Sequence, residues 1–580
     1  MKKTFVIAAT LFMLNGLLSA MDITVVSGNN TGVGSLRAAI DTLNLYDGPH
    51  NIRFSGVEVV TLTAALPAPA KSITIDGGAS KVTINASAIA VATNCLAYSQ
   101  VTLNLKNLIF DNALISIGAA TGTPAVGNGA CIARNCVFKN GLAGAVKVSS
   151  SFTAINCQFY SNQMNAASNG VAIRGLSSAN QIHLDSCIVR DNNSTGANGG
   201  AAIYAIGNNP ASTLEIRNSI IYNNVNASTG SNYGGGIASA ANTTISNSAI
   251  YFNSAKRGGG LALLVGGTTK KSKLTITNST FSGNTATETG GGVCILGTTS
   301  DATDSISISN STISENGTTG DTEGGGIMLA QGANSAWILK MSMNNCTITG
   351  NTSAASSGSG GGIGKSTSGT IKLWLNYCIV AGNNPGNTNI GRDISSSTGW
   401  LTSLTGRNIY GGTPSWGTAE KTGNVVLNDA STGNELIPLN SIIENTLADN
   451  GGTIPLPDGT YVKTHALKKD SHAVNPVLAA VGFQTKDQRG FSRDQMPDIG
   501  AFEYIESTSV KGIKQDNNTL KISKNDILCS ESGKIEIISI SGMISTEANV
   551  IAGEKIAIPA GIHIVKFSNK KGISTIKTIR

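Results

Sequence analysis

The middle of the chain repeats one pattern of apolar and polar residues. Each unit has a short alternating stretch, then Asn-x-x-apolar, a second Asn, a polar turn, a glycine cluster and another apolar stretch. Two copies are LTITNSTFSGNTATETGGGVCI from Leu274 and ISISNSTISENGTTGDTEGGGIML from Ile306. Alternation with a period of two is typical of β-strands, and the repeats lack the apolar spacing of a long helix. They are therefore predicted to be β-structure.

The first Asn of each unit marks the repeat. It stands at Asn107, Asn135, Asn156, Asn218, Asn247, Asn278, Asn310, Asn345 and Asn376, with Ser186 in its place once. Successive positions differ by 21 to 35 residues, so the length variation belongs to loops. A single unit cannot bury its own apolar face, but coils stacked about 4.8 Å apart form a continuous core. We therefore predict an elongated solenoid.

Asn at one place in successive coils predicts ladders of side-chain amides that hydrogen-bond along the stack. We expect a structural ladder at Asn218, Asn247, Asn278, Asn310 and Asn345. We expect Asn351, in the second Asn position, to lie in a looser and solvated turn.

Small residues fill two other places of the unit. Glycine clusters at 258–260, 290–292 and 324–326 supply the positive φ angles of tight corners, and no strand–GxxxxGK–helix context supports a phosphate site. Five of the nine cysteines share one slot, at Cys136, Cys157, Cys187, Cys346 and Cys378. Since no CxxC or His-bearing metal pattern accompanies them, we expect a buried file of small residues.

These repeats resemble the right-handed parallel β-helix of the pectate-lyase-like superfamily over roughly residues 22–394. The FSGN-type and GGG[IV] signals are also similar to the repeats of chlamydial polymorphic outer-membrane proteins. The resemblance implies an all-β fold, a right-handed parallel β-helix solenoid. It implies no one activity, because this solenoid serves lyases, hydrolases, adhesins and passenger domains.

Both ends of an open stack need a cover. At the front, GSLRAAIDTLN from Gly34 is a short amphipathic helix. Towards the other end, KDQRGFSRDQMPDIGAFEY from Lys486 resembles the terminal segment of choice-of-anchor Q proteins. Its charged residues include Asp487, Arg489, Arg493, Asp498 and Glu503. We expect these to form salt bridges that close the last coil; a catalytic group is the alternative.

The two termini differ from the repeats. Residues 1–20 have the positive start, apolar stretch and small-residue exit of a signal peptide. After about Ser507 the strands IEIISISGMI and PAGIHIVK predict a small β-sandwich and resemble the C-terminal sorting domain of the type IX secretion system of Bacteroidetes; a plain immunoglobulin-like module is the alternative. We therefore expect a signal peptide (1–20), an N-terminal cap and first coils (21–105), β-helix repeats (106–394), terminal coils and a closing segment (395–506), and a sorting or anchoring β-sandwich (507–580).

Composition narrows the functional classes. Charged residues are 13% of the chain and the net charge is only +7, so the surface must be largely Asn, Ser, Thr and Gly. Because no Lys/Arg block with interleaved aromatic residues is present, we do not expect a nucleic-acid partner.

Three groups of residues are candidates for a site. Aligning the corners of successive coils places Lys256 and Arg257 beside Glu288, Asp321 and Glu323. This group either binds Ca²⁺ or a sugar, or it is a solvated ladder of opposite charges. His183 and Asp185 share one strand face, where they either form a catalytic acid–base pair or have a structural role. The tryptophans Trp337, Trp374, Trp400 and Trp416 fill the core of the last coils or form a glycan-binding patch.

Lyases on this fold need a Ca²⁺ cage and a basic residue, and hydrolases need paired carboxylates. The sequence offers no convergent cluster of that kind. We therefore expect a secreted or cell-surface, non-catalytic adhesin or glycan-binding protein, with surface glycans or host proteins and the type IX machinery as partners. We expect no cofactor and no resident metal, with Ca²⁺ as the exception that the acidic corners leave open. A polysaccharide lyase or glycoside hydrolase is the alternative.

Overall fold

The structure is a computed structural model. It describes residues 20–505 and 520–579 except 92, 99, 118–128, 165–169, 177–179, 197–200, 206–210, 228–229, 231, 266–272, 298–303, 321–323, 332–337, 355–359, 366–369, 384–392, 396–399, 406, 412–424, 428–436, 477–482, 523–525, 540–543, 558–561 and 570–571. The chain divides into two compact units, Met1–Tyr504 and Ile505–Arg580.

The first unit is built from parallel sheets that run along a stack of coils. Sheet 1 has the strands Asp22–Val25, His50–Phe54, Ile73–Asp76, Thr102–Lys106, Ala130–Arg134, Ser151–Ile155, Gln181–Asp185, Thr213–Arg217, Asn242–Ser246, Lys273–Thr277, Asp304–Ser309, Ile338–Asn344, Thr370–Asn376 and Trp400–Thr405. Sheet 2 has the strands Val59–Thr61, Val82–Asn85, Leu108–Asp111, Val137–Lys139, Gln158–Tyr160, Ile188–Arg190, Ile220–Tyr222, Ala249–Tyr251, Thr280–Ser282, Thr312–Ser314, Thr347–Thr349, Ile379–Val380, Ile409–Gly411 and Val425–Leu427.

Two further parallel sheets complete the coils. Sheet 3 has the strands Leu96–Tyr98, Ile115–Ile117, Val146–Val148, Ile173–Gly175, Ile203–Ala205, Ile237–Ser239, Leu261–Val265, Val293–Gly297, Ile327–Gln331 and Ile363–Lys365. Sheet 4 has the short strands Gln163–Met164, Asn193–Ser194, Val225–Asn226, Ser254–Arg257, Thr285–Thr289 and Gly317–Thr318. Each strand pairs with the strands of the coils before and after it, so the predicted parallel β-helix is confirmed.

The core lies inside the coils, where alternate residues of each strand stack in columns. In sheet 1 one such column is fully buried, at Leu184, Ile216, Ile245, Ile276 and Ile308. Because neighbouring residues on the same strands face outward, the period-two pattern of the sequence becomes an apolar inside and a polar outside.

The leading residue of each repeat forms the corner between sheets 1 and 2. From Asn107 to Asn345 its φ lies between 44° and 55°, a left-handed conformation that Asn adopts more readily than most residues. In the following coil this place belongs to Tyr377, with φ 55°, because Asn376 pairs with Asn344 inside the strand. The assignment of Asn376 as a leading residue is therefore wrong by one position.

The leading Asn side chains form only a broken ladder. Asn247 Nδ2 donates to Asn218 Oδ1 at 3.0 Å, whereas the amides of Asn310 and Asn345 donate to the carbonyl oxygens of Lys486 and Asp498. The expected continuous ladder at these positions is interrupted because a later segment of the chain takes two of its members.

The second Asn position carries the continuous ladder. Each side-chain Nδ2 donates to the next Oδ1 at 2.8 to 3.0 Å along Asn162, Asn192, Asn224, Asn253, Asn284, Asn316, Asn351, Asn383 and finally Asp393. All eight Asn are buried. The expectation of a solvated Asn351 is therefore wrong, since its side chain is enclosed between two coils.

The slot after the leading residue is a buried file of Cys and Ser. Cys187 N donates to Ser219 Oγ at 3.0 Å, and the same bond recurs from Ser219 to Ser248 and onward. All nine cysteines are buried and free, so the prediction of a buried file is confirmed.

A helix covers the front of the solenoid. It spans Leu36–Leu43, and the Ser35 hydroxyl accepts a hydrogen bond from Ala38 N as its N-cap. Leu36 and Ile40 are buried in the core of the coils, which confirms the predicted amphipathic helix.

We name residues 437–476 and 483–505 the strap, which includes the 3₁₀ helix Leu439–Ser441. It lies along the outer face of sheet 2 over several coils. Leu456 and Val462 pack on Ile220 and Ala249.

Further along the same face the contacts of the strap are polar. Thr312 Oγ1 donates to Gln488 Oε1 at 2.6 Å, and Ala501 N donates to Thr347 Oγ1 at 3.1 Å. This segment packs on the last coils, as expected of a closing segment, but it also extends further, because its polar groups bond to the Thr column of sheet 2 on earlier coils.

Four of the five named charges of the strap form buried ion pairs, as expected, whereas the Asp498 carboxylate accepts hydrogen bonds from the backbone N atoms of Asn475 and Tyr504. Arg489 and Asp487 lie 2.7 Å apart, and Arg493 and Glu503 lie 2.9 Å apart. Arg493 also donates to the Asn310 side chain, which attaches the strap to the solenoid. Such pairs satisfy one another in a site from which water is excluded.

The second unit consists of antiparallel strands. One sheet has Leu520–Ile522, Asp526–Cys529 and Lys555–Ala557, and the other has Ile544–Val550, Gly533–Ser539, Ile562–Asn569 and Gly572–Ile579. Both sheets contribute to one buried apolar cluster, at Ile527, Ile537 and Phe567 among others. This is the arrangement predicted for a small β-sandwich. Among the described residues, no helical segment has both the length and the apolar content needed to span a bilayer.

Candidate functional site

The predicted acidic corner is neutralised where the structure describes it. Glu288 lies 2.9 Å from Lys256 Nζ and 2.5 Å from Arg257 Nε. Burial opposes ionisation of Glu288, but the hydrogen bonds and charges of these two cations outweigh it and lower its pKa. Asp321 and Glu323 lie outside the described residues. The described part of this group is an ion-pair cluster on sheet 4.

His183 belongs to a larger charged cluster on the outer face of sheet 1. Its Nδ1 lies 2.9 Å from Glu215 Oε2 on the next coil, and its Nε2 lies 2.9 Å from Arg217. Asp185 accepts from the Asn218 amide at 2.9 Å and lies 3.9 Å from Arg217. Because an arginine only donates, Nε2 accepts and Nδ1 carries the proton, so both ring nitrogens are engaged.

The structure describes two of the four tryptophans. Trp337 and Trp416 lie outside the described residues, and Trp400 is in register with the core residue Ile371. Trp374 lies on the outer face of sheet 1, in register with Ser342, and is partly exposed. Trp374 is therefore the tryptophan that the structure offers to a ligand.

A fourth group lies on the outer face of sheet 3. Lys147 and Arg174 are in register on adjacent strands, between the buried residues Ser116 and Tyr204 of the same column. Strands of adjacent coils are about 4.8 Å apart, so the two cations are close neighbours. Burial lowers the pKa of Lys147, the charge of Arg174 lowers it further, and burial also lowers the pKa of Arg174.

No carboxylate of these coils neutralises the pair. Between positions 77 and 287 the sequence has four acidic residues, at Asp111, Asp185, Asp191 and Glu215. Each faces a cation on sheet 1, on sheet 2 or at the corner just after a sheet 2 strand. Asp111 faces Lys139, Asp191 faces Arg190, and Asp185 and Glu215 both face Arg217. The loops of these coils that lie outside the described residues contain no Asp or Glu.

An unneutralised pair of partly buried cations costs free energy. At an effective dielectric constant of about 20, two unit charges roughly 5 Å apart repel by about 3 kcal/mol. A bound anion removes this repulsion, and the planar guanidinium of Arg174 can hold a carboxylate or sulfate by two parallel bonds. Lys147 and Arg174 therefore form the best candidate binding site.

The structure offers no comparable metal site. The residues that it describes contain no group of three or more His, Cys, Asp or Glu side chains that could hold a metal ion. Ca²⁺ binding at the acidic corner stays a prediction, since Asp321 and Glu323 are not described.

Sequence reasoning did not select Lys147, Arg174 or Glu215 as site residues. A signal was present. The sequence segments GAVKVSS and GVAIRGLSS each carry one cation at the centre of an apolar stretch, in successive repeats that contain few acidic residues. What the sequence could not supply was the register that makes the two cations neighbours.

Comparison with known proteins does not identify a family or an activity for this chain. No family model matches this chain, and no curated protein matches it. Among solved structures the chain is similar to one titled "Crystal structure of pectate lyase Pel9A", with 12% sequence identity and a TM-score of 0.32, over 84% of this chain and 98% of that chain. At that TM-score the similarity carries no argument, so the fold rests on the strand pairing described above.

Proposed function

We propose that this chain is a non-catalytic, exported surface protein that binds acidic glycans at Lys147 and Arg174. The supporting observation is the adjacent cation pair on sheet 3, for which the coils supply no carboxylate. Uronate carboxylates and sugar sulfates are the anions that an extracellular glycan presents. The flanking Ser116 and Tyr204 are buried, so the column reaches solvent at the two cations.

The binding test compares two double variants of equal net charge. Lys147→Ala with Arg174→Ala removes the unpaired cations, whereas Lys139→Ala with Arg190→Ala removes a lysine and an arginine that already pair with Asp111 and Asp191. Losing two charge-assisted bonds should weaken binding of polygalacturonate or chondroitin sulfate by about tenfold or more. The control variant should bind as the wild type does. Equal binding by both variants would exclude this site.

A second candidate function is polysaccharide lysis by β-elimination. The observation in its favour is the lowered pKa of Lys147 beside a cation that can hold a uronate carboxylate. A neutral Lys147 amine would accept the proton next to that carboxylate as the neighbouring glycosidic C–O bond breaks. The departing oxygen would take a proton from water, and the products would be an unsaturated sugar and a free hydroxyl group.

Product formation separates the two functions. We expect no unsaturated product from polygalacturonate, alginate or glycosaminoglycan, with or without added Ca²⁺, and no hydrolysis of neutral glycans. Ultraviolet absorbance of an unsaturated product that disappears in Lys147→Ala, but not in Lys139→Ala, would instead assign a lyase.

The proposal that the protein is exported depends on the two terminal segments. We propose that residues 1–20 direct export and that the C-terminal unit delivers the protein to the surface through the type IX secretion machinery. Deletion of residues 507–580 should leave a folded solenoid that no longer reaches the surface, as measured by cell fractionation. Normal surface levels of the truncated protein would remove the sorting role.

A further inference from the structure

The outer face of sheet 1 changes character near its end. Its central column runs through the small hydroxyl residues Thr244, Thr275, Ser307 and Ser342 and then reaches Trp374. A large aromatic residue that packs for stability is normally on the core side, whereas Trp374 lies on the solvent side and is partly exposed.

Two lysines stand beside this indole. Lys340 is exposed and Lys372 partly exposed, and they are in register on the adjacent strands Ile338–Asn344 and Thr370–Asn376. Among the residues that the structure describes, no acidic side chain forms an ion pair with either lysine. Their charge therefore faces solvent next to the tryptophan.

Two amides form the opposite side of the same surface. Asn376 Nδ2 donates to Asn344 Oδ1 at 3.1 Å, and Asn344 Nδ2 donates to Ser342 Oγ at 3.3 Å. These hydrogen bonds hold the amide groups in place before any ligand arrives, which lowers the entropic cost of binding.

We propose that this surface, formed by Lys340, Ser342, Asn344, Lys372, Trp374 and Asn376, is a second glycan site, in which one sugar ring of an acidic oligosaccharide stacks on Trp374. The carboxylate or sulfate of the sugar lies at the two lysines, and its hydroxyl groups bond to the amides. The site is independent of Lys147 and Arg174, which lie on sheet 3.

The dimensions suit a short oligosaccharide. Adjacent coils are about 4.8 Å apart, and residues two apart on a strand are separated by roughly 6.6 Å. The six residues therefore cover an area about 5 Å by 13 Å, comparable with one or two pyranose rings. Polar groups around one aromatic ring give such a site its specificity.

The test replaces the indole with the side chain that the column already uses. Trp374→Thr copies Thr244 and Thr275 and should leave the sheet intact, while Trp374→Phe keeps a smaller ring. In titration calorimetry with tri-galacturonate, Trp374→Thr should weaken binding by about tenfold or more, and Trp374→Phe should weaken it less. These measurements use the full chain carrying Lys147→Ala and Arg174→Ala, so that the first site does not contribute.

Charge is tested separately. Lys340→Ala with Lys372→Ala should weaken binding of the acidic oligosaccharide, whereas Lys273→Ala, an exposed lysine of the same column, should not. Unchanged affinity in Trp374→Thr would overturn the stacking proposal. Equal affinity of the Lys147→Ala and Arg174→Ala chain for tri-galacturonate and for a neutral trisaccharide would overturn the role of the lysines.

Discussion

Replacing Asn253 by Ala tests which of the two Asn ladders holds the coils together. Asn253 Oδ1 accepts hydrogen bonds from the backbone N and the side-chain Nδ2 of Asn224, at 3.1 and 2.9 Å. Its own Nδ2 donates to Ile221 O and Asn284 Oδ1, both at 3.0 Å. Asn253 is fully buried, so water cannot replace these partners.

The cost follows from the groups left without partners. The substitution leaves the buried backbone N of Asn224 without an acceptor, at about 1 to 3 kcal/mol, whereas Asn224 Nδ2 keeps Val189 O and Tyr222 O as acceptors. The lost hydrogen bonds of Asn253 Nδ2 add about 1 to 2 kcal/mol, so the free energy of unfolding should fall by about 2 to 5 kcal/mol. Asn247→Gly on the same coil is the matched control, because glycine accepts the positive φ of 45° at this corner without strain. The Asn247 side chain donates one ladder bond, to Asn218, and should cost about 0.5 to 1.5 kcal/mol.

The assay is urea unfolding of both variants, with hydrogen exchange of the Asn224 amide as a local measurement. Asn253→Ala should lower the first unfolding transition and the protection of that amide, while Asn247→Gly should leave the protection unchanged. Because coils in a solenoid interact with their neighbours only, the loss should be local. Equal effects of both substitutions, or an unchanged Asn224 amide in Asn253→Ala, would refute the reasoning.

Two further predictions concern titratable groups. Burial raises the pKa of Asp498 to about 7, and the charge of Glu503 adds to this rise. The folded state therefore binds more protons than the unfolded state between about pH 4 and 7, so stability falls as the pH rises through that window. Tm measured across this range should fall in the wild type and change less in Asp498→Asn, and identical profiles would contradict the prediction. Burial raises the pKa of Cys95, Cys131 and Cys294 to about 12. A thiol reagent at neutral pH should therefore label the nine buried cysteines only after unfolding, and rapid labelling of the native protein would contradict their burial.

The candidate site was only partly accessible from the sequence. His183 and Asp185 were identified by alternation within one strand, but their partners Glu215 and Arg217 lie on the next coil. Glu288 was placed correctly beside Lys256 and Arg257, because the glycine corners align those coils without ambiguity. Groups on one strand follow from the period of two, whereas groups on different coils depend on how many residues each loop consumes.

The sequence alone determined the features that depend on local periodicity. Strand alternation, the repeated turn and the amphipathic segment Leu36–Leu43 each need only neighbouring residues, and all three are present in the structure. The burial of the Cys slot follows in the same way, because its place in the unit is fixed relative to the leading residue.

Tertiary structure alone decided which residues meet across long separations. Thr312 and Gln488 are 176 positions apart and bond directly, because the strap lies along sheet 2 and its polar groups need partners once buried. The strand register likewise brings Lys147 and Arg174 together. They are neighbours because the strands of successive coils align, although the loops between them differ in length. Stacking thus creates the candidate sites from residues that no local pattern connects.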